Sequence, residues 1–160
     1  MKNALIAYFS ATGTTKRIAQ LLADAIGAKS FEIVPEKIYT TADLDWTNDK
    51  SRSTVEMKDK DCRPKIESRV RDLNKYDVVF VGFPIWWYRE PSIIDTFIEE
   101  HDFDGKLIVP FATSGGSGID DTYKNIQALA PKSKVEKGKI FNPGVSVEEL
   151  KNWAHKYIEK

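Results

Sequence analysis

Three observations predict an α/β fold in which a parallel sheet is covered by helices on both faces. Apolar runs of strand length alternate with stretches of helical period. The strand-length runs are apolar throughout instead of alternating, as expected of strands buried on both sides. The residues least typical of a core gather directly after the first, third and fourth of these runs, at what would be one rim of the sheet. Alternation of this kind implies right-handed βαβ crossovers, and ligands of such folds sit at the carboxyl ends of the strands beside the topological switch point.

The elements follow in order. Leu5 to Phe9 reads as the first strand, and Thr14 to Ile26 as a helix with Ile18, Leu21, Leu22, Ala25 and Ile26 on one stripe, closed by Gly27. Phe31 to Val34 makes a short second strand. A long polar interval, 40–63, precedes a helix expected from about Lys65 to Leu73. Val78 to Phe83 is the third strand, and Pro91 opens a helix carrying Ile93, Ile94, Phe97 and Ile98, where its missing N–H does no harm. Leu107 to Phe111 is the fourth strand, although Pro110 cannot donate to a ladder and favours an edge or bulge. Asp120 to Leu129 reads as a helix, Val135 as the centre of a fifth strand, and Val147 to Ile158 as the terminal helix.

Composition narrows the function. The 160 residues suit a single domain, 1–160, large enough for a proper core, with 40–63 as an insert. Lys plus Arg equals Asp plus Glu at 24 each, so no overall field draws the chain toward nucleic acid or an anionic membrane surface. Cys62 is the single cysteine, which excludes an internal disulfide, and His101 and His155 are too few and too far apart for the usual zinc spacings. The N-terminal segment opens straight onto a strand and lacks the features of a secretory signal, and no apolar run approaches a membrane span, so a cytoplasmic location is the expectation.

Chemistry concentrates in three loops. Ser10-Ala11-Thr12-Gly13-Thr14-Thr15 joins the first strand to the first helix. A strand feeding directly into a helix leaves N–H groups aimed outward where the helix dipole favours negative charge, and Ser10, Thr12, Thr14 and Thr15 add hydroxyl donors. Gly13 lets the backbone approach closely. The loop matches neither G-x-x-x-x-G-K-[ST] nor G-x-G-x-x-G and suits a terminal phosphate monoester, although Ser and Thr also serve as ordinary N-caps. Pro84-Ile85-Trp86-Trp87-Tyr88 follows the third strand. Rings in such a connection are costly to leave in water, so a flat ligand stacked on them is one explanation, and a core cap or subunit contact is the other. Thr113-Ser114-Gly115-Gly116 follows the fourth strand and offers small residues and spare N–H donors along a heterocycle edge, or simply a surface turn.

Taken together, these loops resemble the flavodoxin-like FMN proteins over essentially the whole chain. The resemblance implies a flavodoxin-like three-layer sandwich with a five-stranded parallel sheet of order 2-1-3-4-5. It implies FMN as cofactor, with its phosphate at Ser10, Thr12, Gly13, Thr14 and Thr15. The isoalloxazine would lie between Pro84, Ile85, Trp86, Trp87 and Tyr88 on one side and Thr113, Ser114, Gly115 and Gly116 on the other. The family's electron shuttles are strongly acidic and carry a glycine in the loop after strand three that turns a carbonyl toward flavin N5. This chain is neutral, and 84–91 contains no glycine. That favours two-electron chemistry, in which FMN takes electrons from a reduced nicotinamide or a redox protein and passes them to a flat acceptor such as a quinone.

No side chain is required as a catalytic acid or base, since the flavin carries the redox chemistry. His101 is expected to close a helix C-terminus as a cation, and His155 to lie on the exposed face of the last helix. Lys16 and Arg17 are expected to face solvent, and Arg52 and Arg63 to pair with nearby carboxylates. In the insert, Trp46 is a candidate lid over the flavin, a dimer contact, or an anchor for its own loop; the chain is expected to be a monomer or homodimer. Two alternatives stay open: an electron carrier with no small-molecule substrate, and a flavin-free receiver-like module, which the lack of acidic residues after the first strand disfavours.

Overall fold

The computed structural model describes residues 2–114, 118–119 and 121–159. Its strands are β1 (Ala4–Tyr8), β2 (Lys29–Glu32), β3 (Val78–Pro84), β4 (Leu107–Thr113), β5 (Lys134–Val135) and β6 (Lys139–Ile140). The helices are α1 (Thr14–Ile26), α2 (Arg52–Lys58), α3 (Ser92–Glu99), α4 (Thr122–Leu129) and α5 (Val147–Ile158). All sheet pairings are parallel and run in the order β2-β1-β3-β4-β5, with β6 also on β4. Between β1 and β3 the chain order reverses, which places the switch point beside the end of β1.

Two cores lie on the two faces of this sheet. Ile6, Tyr8, Val78, Phe80, Val109 and Phe111 pack with Ile18 and Leu22 of α1 and Leu150 and Trp153 of α5. Leu5, Ala7, Val79, Val81 and Ile108 pack on the other face with Ile93, Ile94 and Phe97 of α3 and Ile126 of α4. The continuous apolar runs of β1, β3 and β4 are thus explained, because each successive side chain enters one core or the other.

Pro110 lies inside the sheet and not at an edge. The carbonyls of Ile108 and Ala112 accept from Glu136 and Phe141, so the even-numbered residues of β4 turn their polar groups toward β5 and β6. Pro110 therefore presents its missing N–H to the gap between those two short strands, where no ladder bond is lost. Gly138 fills that gap at φ 78, and a Cβ there would stand 2.2 Å from the Pro110 carbonyl oxygen. The fifth strand position is accordingly split in two, an interruption not expected from the sequence.

The helix expected at Lys65 to Leu73 does not form. Glu36 N–H donates to Lys65 O, and Glu67 N–H to Val34 O, holding Ile66 opposite Pro35 in an antiparallel bridge. Val70 N–H donates to His101 Nε2 at 2.9 Å. Spacing of Ile66, Val70 and Leu73 suits a helix, yet the backbone finds its partners on neighbouring segments, and only Leu73–Lys75 forms a 3-10 turn. Helix α2, inside the insert, was not expected at all. Ser51 caps it by accepting from Thr54 N–H, and Thr54 and Met57 turn inward. The first residue expected in α4, Asp120, lies outside the described residues, and no described helix is long and apolar enough to cross a membrane.

Candidate functional site

The three loops meet at the carboxyl ends of β1, β3 and β4. Ile85 N–H donates to Thr113 O at 2.8 Å, joining the second loop to the third. Thr15 and Thr113 share a buried hydroxyl hydrogen bond of 2.8 Å, joining the first to the third. Thr15 is thus a structural tie as much as a donor, set by its inward position on the first turn of α1.

Gly13 stands at the N-cap of α1 with φ 97, and among the described residues no side chain caps the helix. Ser10 Oγ accepts from Gly13 N–H at 3.1 Å, which shapes the turn while the Ser10 hydroxyl proton remains available to donate. Thr12 is exposed and Thr14 half-buried at the rim. A loop this rich in hydroxyls that leaves the helix entrance uncapped fits a phosphate monoester, which accepts from first-turn N–H groups and lies along the favourable end of the helix dipole. Lys16 and Arg17 are turned elsewhere, Lys16 to Glu32 at 3.6 Å and Arg17 to the Pro143 carbonyl at 3.0 Å.

Beyond Thr12 a cleft of about 660 Å³ runs between Ala11, Thr12 and Pro84 to Tyr88 on one side and Leu44, Trp46 and Ser53 of the insert on the other. A larger hollow of about 780 Å³ lies at the opposite end of the strands, lined by Lys106, Lys132, Lys134 and Asp77, far from the switch point. Trp86 and Arg89 exchange both backbone hydrogen bonds across Trp87 and Tyr88, whose φ values are 48 and 67. This is the geometry of a tight turn that ordinarily takes Asn and Gly; two bulky rings there are strained. Trp87 and Tyr88 consequently project outward, 41% and 64% exposed. Trp86 points back and packs edge-on against Phe9 and Tyr39 at 5.7 and 5.4 Å, so the inner ring belongs largely to the core. Of the third loop, Thr113 is buried and Ser114 half-buried at the rim, while Gly115 and Gly116 lie outside the described residues.

Behind the aromatic turn lies a buried charged hub that the sequence did not reveal. Arg89 donates to Met57 O at 3.1 Å, Glu90 O at 3.2 Å, Ser92 Oγ at 3.3 Å and Asp95 Oδ2 at 3.4 Å, tying the turn to α2 and α3. Glu90 is fully buried, and Asn125 of α4 donates to its Oε1 at 3.2 Å. Among the described residues its other oxygen and Asp95 Oδ1 have no hydrogen-bond partner. Burial, then hydrogen bonding and repulsion from Asp95, pushes Glu90 up to about 9, and burial also raises Asp95. A proton shared between the two would satisfy both oxygens and leave one net negative charge facing Arg89 and, at 3.9 Å, Arg63.

The insert is fastened rather than loose. Tyr39 Oη donates to Glu56, Arg52 pairs with Glu56 at 2.9 Å and lies over the Tyr39 ring at 3.9 Å, and Ser92 Oγ donates to Glu56 O. Burial followed by the Glu56 hydrogen bond raises the Tyr39 phenol. Arg63 pairs with Glu99, as expected of a surface arginine. His101 departs from expectation: its Nδ1 meets Phe97 O at 2.8 Å while Nε2 accepts from Val70 N–H. Burial lowers its pKa, so it closes α3 as a neutral ring rather than a cation.

A doubly wound sheet of order 2-1-3-4-5, with an uncapped helix entrance at the switch point and an aromatic cleft beside it, defines the flavodoxin-like class of α/β proteins. The family model described as Flavodoxin matches residues 3–157, and the chain belongs to that family. A Bacteroides eggerthii DSM 20697 protein, provisionally described as a flavoprotein, is 44% identical with a TM-score of 0.92 over 100% of this chain and 99% of that one. A second, from Bacteroides uniformis ATCC 8492 and described likewise, is 49% identical with a TM-score of 0.89 over 95% and 97% of the two chains. A Lactobacillus acidophilus NCFM flavoprotein, solved in complex with FMN, shares the fold at 22% identity, with a TM-score of 0.73 over 96% and 99%. No curated protein matches the chain.

Proposed function

We propose that the protein binds FMN and works as a two-electron oxidoreductase, taking electrons from a reduced nicotinamide or a redox protein and delivering them to a flat acceptor such as a quinone. The observation that carries the reading is the uncapped entrance of α1 at Gly13, opening directly into the aromatic cleft. Ser10, Thr12, Gly13, Thr14 and Thr15 would hold the phosphate, Pro84 to Tyr88 would line the ring, and Thr113 to Gly116 would close it. Family membership and the FMN complex of the Lactobacillus relative support the cofactor. The flavin supplies the redox chemistry when bound; the chain binds, orients and shields it.

Two-electron use is supported by the turn at Trp87 and Tyr88. Turning its central peptide would carry Trp87 to positive φ with strongly negative ψ, a region open in practice only to glycine. The turn is also closed by two cross-turn hydrogen bonds. A carbonyl that swings to stabilise a one-electron state is therefore disfavoured. The test is an absorbance spectrum of the purified protein reconstituted with FMN, followed by anaerobic reduction and by NAD(P)H oxidation with a quinone. Flavin bands, little accumulating semiquinone and steady turnover are expected. Absence of flavin binding would refute the cofactor, and an accumulating semiquinone without turnover would favour a carrier.

A further inference from the structure

Ser53 is 2% exposed, lines the cleft, and its Oγ has no hydrogen-bond partner among the described residues. An unpaired buried hydroxyl is costly, and the neighbouring side chains show that this one is not an accident of a loose loop. Ser53 N–H is held by Asp43 O at 2.9 Å, Ser51 caps the helix, and α2 is fastened from behind by Arg89 and Ser92. The same rigid insert carries Leu44 and Trp46 to the cleft. Trp46 is 75% exposed, a large apolar ring left in water on an element that is otherwise well anchored. The cleft reaches from these residues past Trp86 and Trp87 to Ala11 and Thr12 in the phosphate loop, so one ligand can span both.

We propose that the insert forms the outer wall of the flavin site: Ser53 Oγ–H donates to a carbonyl at the edge of the ring, and Trp46 covers the ring's outer face opposite the Trp87–Tyr88 turn. This rests on the FMN reading above, and it assigns ring contacts to a segment lying outside the three rim loops. The occupant is the flavin and not a separate acceptor, because Ala11 and Thr12 make the cleft continuous with the phosphate loop. In the ligand-free protein the hydroxyl gains nothing for the fold, so its removal separates ligand binding from stability.

The test is FMN titration by flavin fluorescence of wild type, Ser53→Ala, Trp46→Ala and Trp46→Phe, together with thermal melting of each apoprotein. Ser53→Ala should weaken FMN about tenfold, the loss of one hydrogen bond, while the apoprotein melts at or above the wild-type temperature. Trp46→Ala should weaken FMN by about the same factor, and Trp46→Phe should remain within about threefold of wild type. Unchanged FMN affinity in either alanine variant, or a lowered melting temperature for the Ser53→Ala apoprotein, would overturn the assignment. Wild type that takes up no FMN would instead overturn the cofactor reading itself, and that titration comes first.

Discussion

Exchanging Glu90 for Gln keeps the shape of a fully buried side chain and removes its proton equilibrium. The amide oxygen can still accept from Asn125, and the amide NH₂ can donate to Asp95 Oδ1, the role a protonated Glu90 plays in wild type. Glu90 titrates at about 9 in the folded protein against 4.5 for the free group. Between those values the native state holds a proton that the unfolded chain has released, so unfolding stability falls as pH rises. The contribution is fully present below 4.5 and is lost as pH climbs to the folded value. The slope is about 1.4 kcal/mol per pH unit, so from pH 5 to pH 8 this carboxyl removes on the order of 4 kcal/mol that the glutamine variant keeps. Asp95, also raised by burial, adds in the same direction, and Arg89, Arg63 and Glu99 are the charged groups around the pair. Urea midpoints of apoprotein at pH 5, 6, 7 and 8, at constant m, measure the difference. The two curves should nearly meet at pH 5 and diverge steadily toward alkali, with Glu90→Gln the more stable. Parallel curves would show that Glu90 is ionised throughout, and the shared proton would be refuted.

The remaining predictions concern the rim. Thr12→Val with Thr14→Val should weaken FMN by about 1.5–3 kcal/mol for each hydroxyl lost to a charged acceptor, read by titration, and an unchanged affinity would place the phosphate elsewhere. Thr15→Val strands the buried Thr113 hydroxyl and should cost about 1–3 kcal/mol in urea unfolding; adding Thr113→Val should recover most of it, because neither partner is then left unpaired. Trp87→Asn with Tyr88→Gly supplies the residues that a turn with two positive φ values prefers. It should stabilise the apoprotein by about 1 kcal/mol while weakening FMN, and apoprotein melting with FMN titration tests both halves.

Much of the architecture was legible because it depends on local pattern. β1, β3 and β4 are doubly buried, so their runs are apolar without interruption, and α1 announces itself by an apolar stripe closed at Gly27, whose φ is 66. The phosphate loop was legible for the same reason, since its residue types and its place between strand and helix are both sequence facts. The segment around Ile66 and Val70 misled because spacing compatible with a helix says nothing of partners such as Lys65 O for Glu36 N–H. Helix α2 hid among charges: Glu56 is buried only because Tyr39 and Arg52 meet it there. Ser51, with Thr54 and Met57 turned inward behind it, was the signal available for that helix. The hub of Arg89, Glu90 and Asp95 had no local signature, because burial of a charge is a property of the assembled neighbours.

Three features that sequence reasoning missed lie together, and that placement is informative. A strained turn of two aromatic residues, a pair of buried carboxyls, and an orphaned hydroxyl on an anchored helix each oppose folding. Arg89 connects them, holding the turn by its backbone while its guanidinium grips α2 at Met57 and α3 at Asp95. Two apolar cores cover the faces of the sheet without these groups, which concentrate at one end of β3. These departures from local preference cluster beside the uncapped entrance of α1, and functional sites are where such departures are retained. The aromatic cleft is therefore held open by the fold at a cost to stability, and binding a flat ligand there is what would offset it.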